Sequence, residues 1–97
     1  MARTKKERKI NCIPVCHLFG PLPDIWNKKN IELWIDEYEA IRLSDYEGLS
    51  MIIAAKHMKI SASTFCRILK SAQKKVADAL INNKKIKICI KKCRYTQ

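Results

Sequence analysis

Two serines, Ser50 and Ser61, constrain the folding of this chain more than any other feature in it. Each stands just before apolar residues at helical spacing, and each offers a hydroxyl that can accept from the free N–H groups of a first helical turn. A short helix over about 51 to 58 fits between them, followed by the turn Lys59-Ile60-Ser61. Behind Ser61 a longer helix is expected through about residue 81. Phe65, Ile68, Leu69, Ala72, Val76, Ala79 and Leu80 recur there every three or four residues and form one core-facing stripe. Ala54-Ala55 allow two helices to cross closely, Ile60 plugs the turn, and Asn82-Asn83 stops the second helix. A short helix, a tight turn and a longer helix with a basic outer side describe a helix-turn-helix.

The flanking segments are expected to frame that unit. Ile31-Glu-Leu-Trp-Ile35 alternates with period two, as a strand does, and Lys85-Ile-Lys-Ile-Cys-Ile90 alternates again. An isolated strand leaves its backbone groups without partners, so the two are expected to pair, within a subunit or between two. Asp36 with Glu39 three residues on reads as an N-cap and its capping-box partner. Tyr38, Ile41, Leu43 and Tyr46 then predict a helix over 36–46 ending near Gly48. Residues 1–30 hold all three prolines and read as a basic arm and irregular loop, with one short strand near Ile10–Ile13. The expectation is a single domain of mainly α class, in which an arm over 1–30 precedes a helix-turn-helix body over 31–97. Its small β element comes from strands near 31–35 and 86–90.

Charge then narrows the function. The formal net charge is +11 and the pI about 9.7, above the level of roughly 9 that points to a polyanionic partner. The charge is also segregated. Arg3, Lys5, Lys6, Arg8 and Lys9 crowd the start, while Glu32, Asp36, Glu37, Glu39, Asp45 and Glu47 oppose only Arg42 between residues 31 and 48. From residue 49 onward Asp78 is the one acid. One end should repel phosphate and the other attract it, as an oriented nucleic-acid binder requires. On the second helix the outward positions are Ser61, Ala62, Ser63, Cys66, Arg67 and Lys70. Short hydroxyl side chains let a helix N-terminus approach phosphates and base edges, and an arginine can read guanine bidentately. Lys74, Lys75, Arg3, Lys5 and Lys6 would contact phosphates. The plain alternative is that these serines only cap and the lysines only solvate.

The segments DEYEAIRLSDYEGLS (36–50) and AAKHMKISASTFCRILKSAQKKVADALI (54–81) resemble a family of small uncharacterised prokaryotic proteins regarded as DNA-binding. Their helix-turn-helix is similar to region four of bacterial sigma factors, within the winged-helix-like superclass. The Cys12–Pro14 region and Phe19-Gly20-Pro21 look like that family more loosely. The resemblance implies a recognition-helix role for Ser61, Ser63, Thr64, Cys66 and Arg67. It also implies double-stranded DNA as partner, and a homodimer fits successive major grooves spaced about 34 Å apart. Two departures stand out. Met51-Ile52-Ile53 replaces the polar or acidic residues that usually follow the cap, and Lys59 replaces the usual turn glycine. The first reads either as drift in an isoleucine-rich chain or as an apolar contact with a partner subunit, and RNA polymerase is a further candidate partner.

Other chemistry is weaker. Cys12, Cys16, Cys89 and Cys93 form two Cys-x3-Cys pairs that could hold zinc if the termini meet, but the common knuckle spacing is Cys-x2-Cys. Unligated thiols are the default, and no cofactor is otherwise indicated. Cys66 beside Arg67 could sense oxidation or simply fit a groove. His17 and His57 have no nucleophile and acid arranged around them, so no enzyme is expected. Glu39, Arg42 and Asp45 read as ion pairs on a solvated helix face. No apolar run of about 18 residues suggests a membrane span and no signal peptide follows the basic start, so a cytoplasmic protein is expected. Two rivals to a DNA-binding regulator remain: an RNA-binding basic protein, and a protein-interaction adaptor in which Ile52 and Ile53 act instead of Arg67.

Overall fold

The computed structural model describes residues 9–10, 18–21 and 29–89. Within them lie β1 (Leu18–Phe19), β2 (Ile31–Trp34), α1 (Ile35–Ile41), continued by one π-helical turn (Arg42–Tyr46), α2 (Met51–Met58), α3 (Ala62–Asn82) and β3 (Ile86–Cys89). The strand proposed near Ile10–Ile13 falls mostly outside the described residues, and Ile10 itself is not in a strand.

Local chemistry places each boundary. Ser50 Oγ accepts from Ile53 N (3.3 Å) and Ser61 Oγ from Thr64 N (3.1 Å), so both proposed N-caps are present. Between the helices Lys59 adopts φ 58° and ψ 45°, the left-handed conformation usually left to glycine. There Lys59 N donates to Lys56 O and Ile60 N to Ala55 O, both at 3.1 Å, which closes a Schellman motif. Asn83 ends α3 in the same conformation, at φ 57°.

The start of α1 differs from expectation. The helix begins at Ile35, and its N-cap is Trp34, whose N–H donates to Glu37 Oε1 at 2.9 Å. Glu37, not Glu39, is the acid that reaches back, and Asp36 lies inside the first turn. The reason is burial: Ile35 belongs to the core, which draws the helix start one residue toward β2. At the other end Glu47 N donates to Arg42 O (2.8 Å), the five-residue spacing of a π turn. That widened turn takes Tyr46 off the core phase and leaves it 82% exposed, while Leu43 stays buried.

The sheet order is β1-β3-β2. β3 lies parallel to β2, with Leu33 opposite Ile88, and antiparallel to β1, with Phe19 opposite Ile86. The expected pairing of the 31–35 and 86–90 segments thus occurs within one chain. Ala40, Leu43, Ala54, Ala55, Met58, Phe65, Ile68 and Leu69 form the core where the three helices meet. Leu33, Ile35, Ala72 and Ile88 form a second cluster that joins α3 to the sheet, and Ile10 packs against both. The α3 stripe therefore faces inward as its spacing predicts, except that Val76 is half-buried and Leu80 is 74% exposed.

Candidate functional site

Capping, turn and core packing leave the first turns of α3 at the surface. Ser61, Ala62, Ser63, Arg67, Lys70 and Lys74 are exposed, whereas Thr64 and Cys66 are half-buried. Ser61 Oγ, besides accepting from the Thr64 backbone, donates to Thr64 Oγ1 (2.9 Å) and lies 3.3 Å from Ser63 Oγ. Arg67 Nη2 reaches Thr64 Oγ1 at 3.5 Å, a distance too long to hold the guanidinium firmly. The hydroxyl cluster is thus ordered by its own cap, with a loosely tethered arginine one turn beyond it. Lys9, Lys56 and Lys59 add exposed cations around the preceding turn, where Lys9 N donates to Met58 O (3.1 Å). By sequence Lys9 belongs to the arm and Lys59 to the turn. Their place beside α3 is a tertiary fact.

Lys75 differs from its neighbour Lys74. Lys75 Nζ donates to Glu37 Oε1 (2.8 Å) and to Glu32 O (2.7 Å), and Ser71 Oγ donates to Glu37 Oε2 (2.6 Å). Lys75 is therefore a structural cation and is withdrawn from the phosphate-contacting set. The acids of α1 likewise correct the expectation of a solvated face: Asp36, Glu37 and Glu39 are fully buried. A buried carboxylate is tolerated only with strong partners. Glu37 has the set just described, and Glu39 is gripped bidentately by Arg42, with Nε–Oε1 at 3.0 Å and Nη2–Oε2 at 2.9 Å. Arg42 Nη1 also meets Glu47 (3.1 Å), and Gln73 Nε2 donates to Asp45 at 3.2 Å. The sequence places these acids on a helix; it carries no signal that the helix turns them inward.

Arg3, Lys5, Lys6, Cys12, Cys16 and Cys93 lie outside the described residues. Of the four proposed zinc ligands only Cys89 is described, and no group of three or more His, Cys, Asp or Glu among the described residues could hold a metal ion. Burial, then the Glu32 carboxylate, pushes the Cys89 thiol up from its ordinary value. No helix among the described residues is long and apolar enough to cross a membrane.

Fold and exposed face together define a small helix-turn-helix-like domain built against a three-stranded sheet. The chain belongs to the family described as "Protein of unknown function DUF134", which matches residues 1–97. It is 42% identical over 90 residues to a "UPF0251 protein" of Desulforudis audaxviator, covering 91% of this chain and 58% of that protein. A "UPF0251 protein" of Ruminiclostridium cellulolyticum is 47% identical over 88 residues, covering 91% and 68%. The chain thus spans about three fifths to two thirds of the length of these relatives, whose names state no activity. No solved structure matches it.

Proposed function

We propose that this chain is a sequence-specific, double-stranded-DNA-binding protein that regulates transcription through its helix-turn-helix and performs no catalysis. One observation carries the reading. The exposed cations Arg67, Lys70 and Lys74 follow an ordered hydroxyl cap along one side of α3, while Lys75 and Arg42 are bound to buried acids. The first turn of α3, Ser61 to Thr64, approaches the duplex in the major groove, and helix-start N–H groups favour a phosphate there. Arg67 reads a base, Cys66 and Ala62 fit against base edges, and Lys70 and Lys74 hold phosphates, with Arg3, Lys5 and Lys6 tracking the backbone. This division agrees with the resemblance to sigma region four. The absence of an exposed aromatic platform on α3 favours duplex DNA over single-stranded RNA.

Selection from random duplexes, followed by a salt titration, tests this. A recurring motif is expected. Arg67→Ala should lose about 1 to 3 kcal/mol of discrimination at one position, and Lys70→Ala should reduce the salt slope by about 0.9 without changing the motif. No motif, or an Arg67→Ala variant that weakens all duplexes equally, would remove base reading.

A second reading is favoured by the exposure of Met51 (45%), Ile52 (63%) and Ile53 (48%) at the start of α2. In it those side chains dock on another protein of the transcription apparatus, such as RNA polymerase. Ile52→Glu would then abolish regulation while leaving DNA affinity intact.

A further inference from the structure

Lys9 and Ile10 form a small anchor at the turn between α2 and α3. Lys9 N donates to Met58 O at 3.1 Å, taking up one of the carbonyls that the end of α2 leaves without a helical partner. Ile10 is half-buried and packs against both core clusters, the one where the helices meet and the one that joins α3 to the sheet. One backbone bond and one apolar side chain thus seat this segment at the last residue of α2, directly before Lys59 and the Ser61 cap. The placement runs against plain electrostatics. Arg3, Lys5, Lys6, Arg8 and Lys9 crowd this part of the chain against Glu7 alone. The turn that receives it already exposes Lys56 and Lys59, with Arg67 and Lys70 further along α3. No acid stands in the chain between Glu47 and Asp78 to offset them. Like charges gathered in this way repel, and core contacts that gather them serve a polyanion that meets them together.

We infer that Lys9 and Ile10 are positioning residues, which tie the basic segment 3–8 to the reading turn so that its cations grip the same duplex that α3 enters. The inference rests on the DNA-binding reading and deepens it. Residues 1–8 lie outside the described residues, and the argument needs only their charge and their point of attachment. A chain of eight residues leaving a fixed Lys9 reaches at most about 28 Å, at about 3.5 Å each. That bounds its contacts to about eight base pairs from the turn, at about 3.4 Å per step. Without the anchor the next described residue to which the segment is attached is Leu18, so the tether grows from eight residues to seventeen. Local concentration at the duplex falls as roughly the −3/2 power of tether length, which is about threefold here. Anchoring therefore adds affinity without adding a contact, and that separates it from the cations it carries.

Equilibrium binding of the full chain to the motif recovered from random duplexes, titrated with salt, tests this. Arg3→Ala, Lys5→Ala and Lys6→Ala together should flatten the salt slope by about 2.7. Ile10→Gly should weaken binding about threefold with the slope unchanged, and Ile10→Val should recover most of that loss. In the triple-alanine background Ile10→Gly should change nothing further. A loss of equal size there would show that Ile10 only supports the fold, and no loss in the wild-type background would show that it positions nothing; either result overturns the inference. Lys9→Pro and Lys9→Ala both delete the cation, but only proline also deletes the N–H that meets Met58 O. The proline variant should bind about threefold more weakly than the alanine one, and equal binding would count against the anchor. Without DNA, the Lys9 amide should exchange slowly in the wild type and fast in Ile10→Gly; a fast wild-type amide would remove the anchor whatever the duplexes show. If that amide is slow and the wild type binds no duplex, the DNA-binding reading fails and the duplex contact falls with it. If the wild type binds its motif and the anchor variants bind equally well, the inference alone fails.

Discussion

Lys59 shows how one residue can keep a turn at a cost. Its φ of 58° is set by the two bonds that close α2, and an L-residue with a Cβ is disfavoured there by about 1 kcal/mol. The side chain is exposed, so Lys59→Gly loses no packing, although glycine's extra freedom in the unfolded chain offsets part of the gain. Urea unfolding should show Lys59→Gly more stable by about 0.5 kcal/mol. Asp78 makes a different residue-scale case. Bonds from Asn82 first, then Lys84, hold its carboxyl below the ordinary 3.8. A carboxyl with a depressed folded-state value adds stability that is present above its unfolded value and lost as pH falls through the folded one. Carbon-detected titration should place the Asp78 midpoint below 3.8, and Asn82→Ala should move it upward.

At the scale of the element, α1 and α3 are tied by one buried carboxylate. Glu37 accepts from the Trp34 backbone, Ser71 and Lys75, so it caps α1, fixes the register of α3 and, through Lys75 on Glu32 O, covers the outer edge of β2. Glu37→Ala leaves three donors without their acceptor and should cost about 3 kcal/mol in denaturant unfolding. Lys75→Ala should cost less, about 1 kcal/mol, because Lys75 keeps 22% of its side-chain surface in water. The two adjacent lysines then separate in a salt titration of duplex binding. Lys74→Ala should lower the slope by about 0.9 and Lys75→Ala should leave it alone. Period and capping rules made the helices legible here, since Ser50, Ser61, Gly48 and Asn83 act through bonds to their own neighbours. They failed at Glu37, whose partners come from segments more than 30 residues away in the chain, Ser71 and Lys75, whereas the Glu39–Arg42 pair, three residues apart, was legible.

For the whole molecule, Phe65 is the residue on which the three helices converge, fully buried among Leu43, Ala54, Ala55 and Met58. Phe65→Ala should cost about 3 to 5 kcal/mol, a large part of what a domain of this size has, and should weaken DNA binding only as far as it unfolds the chain. The α3 part of the proposed interface was legible because exposure at Ser61, Ser63, Arg67, Lys70 and Lys74 follows from helix phase once Phe65 and Ile68 point inward. Lys9, Lys56 and Lys59 were not legible as part of it, because only the crossing of α2 and α3 and the Lys9–Met58 bond bring them near.

By itself the sequence determined the two helices either side of the turn, their serine caps and the two alternating strands, because all of these depend on bonds and periodicities spanning a few residues. Tertiary structure alone decided which charges are free. It buried Asp36, Glu37 and Glu39 and spent Lys75 on one of them. It also decided that Leu80, in phase with the core by spacing, meets water, because nothing among the described residues covers it. Burial of a charge or exposure of an aliphatic side chain depends on distant segments, which local spacing does not encode.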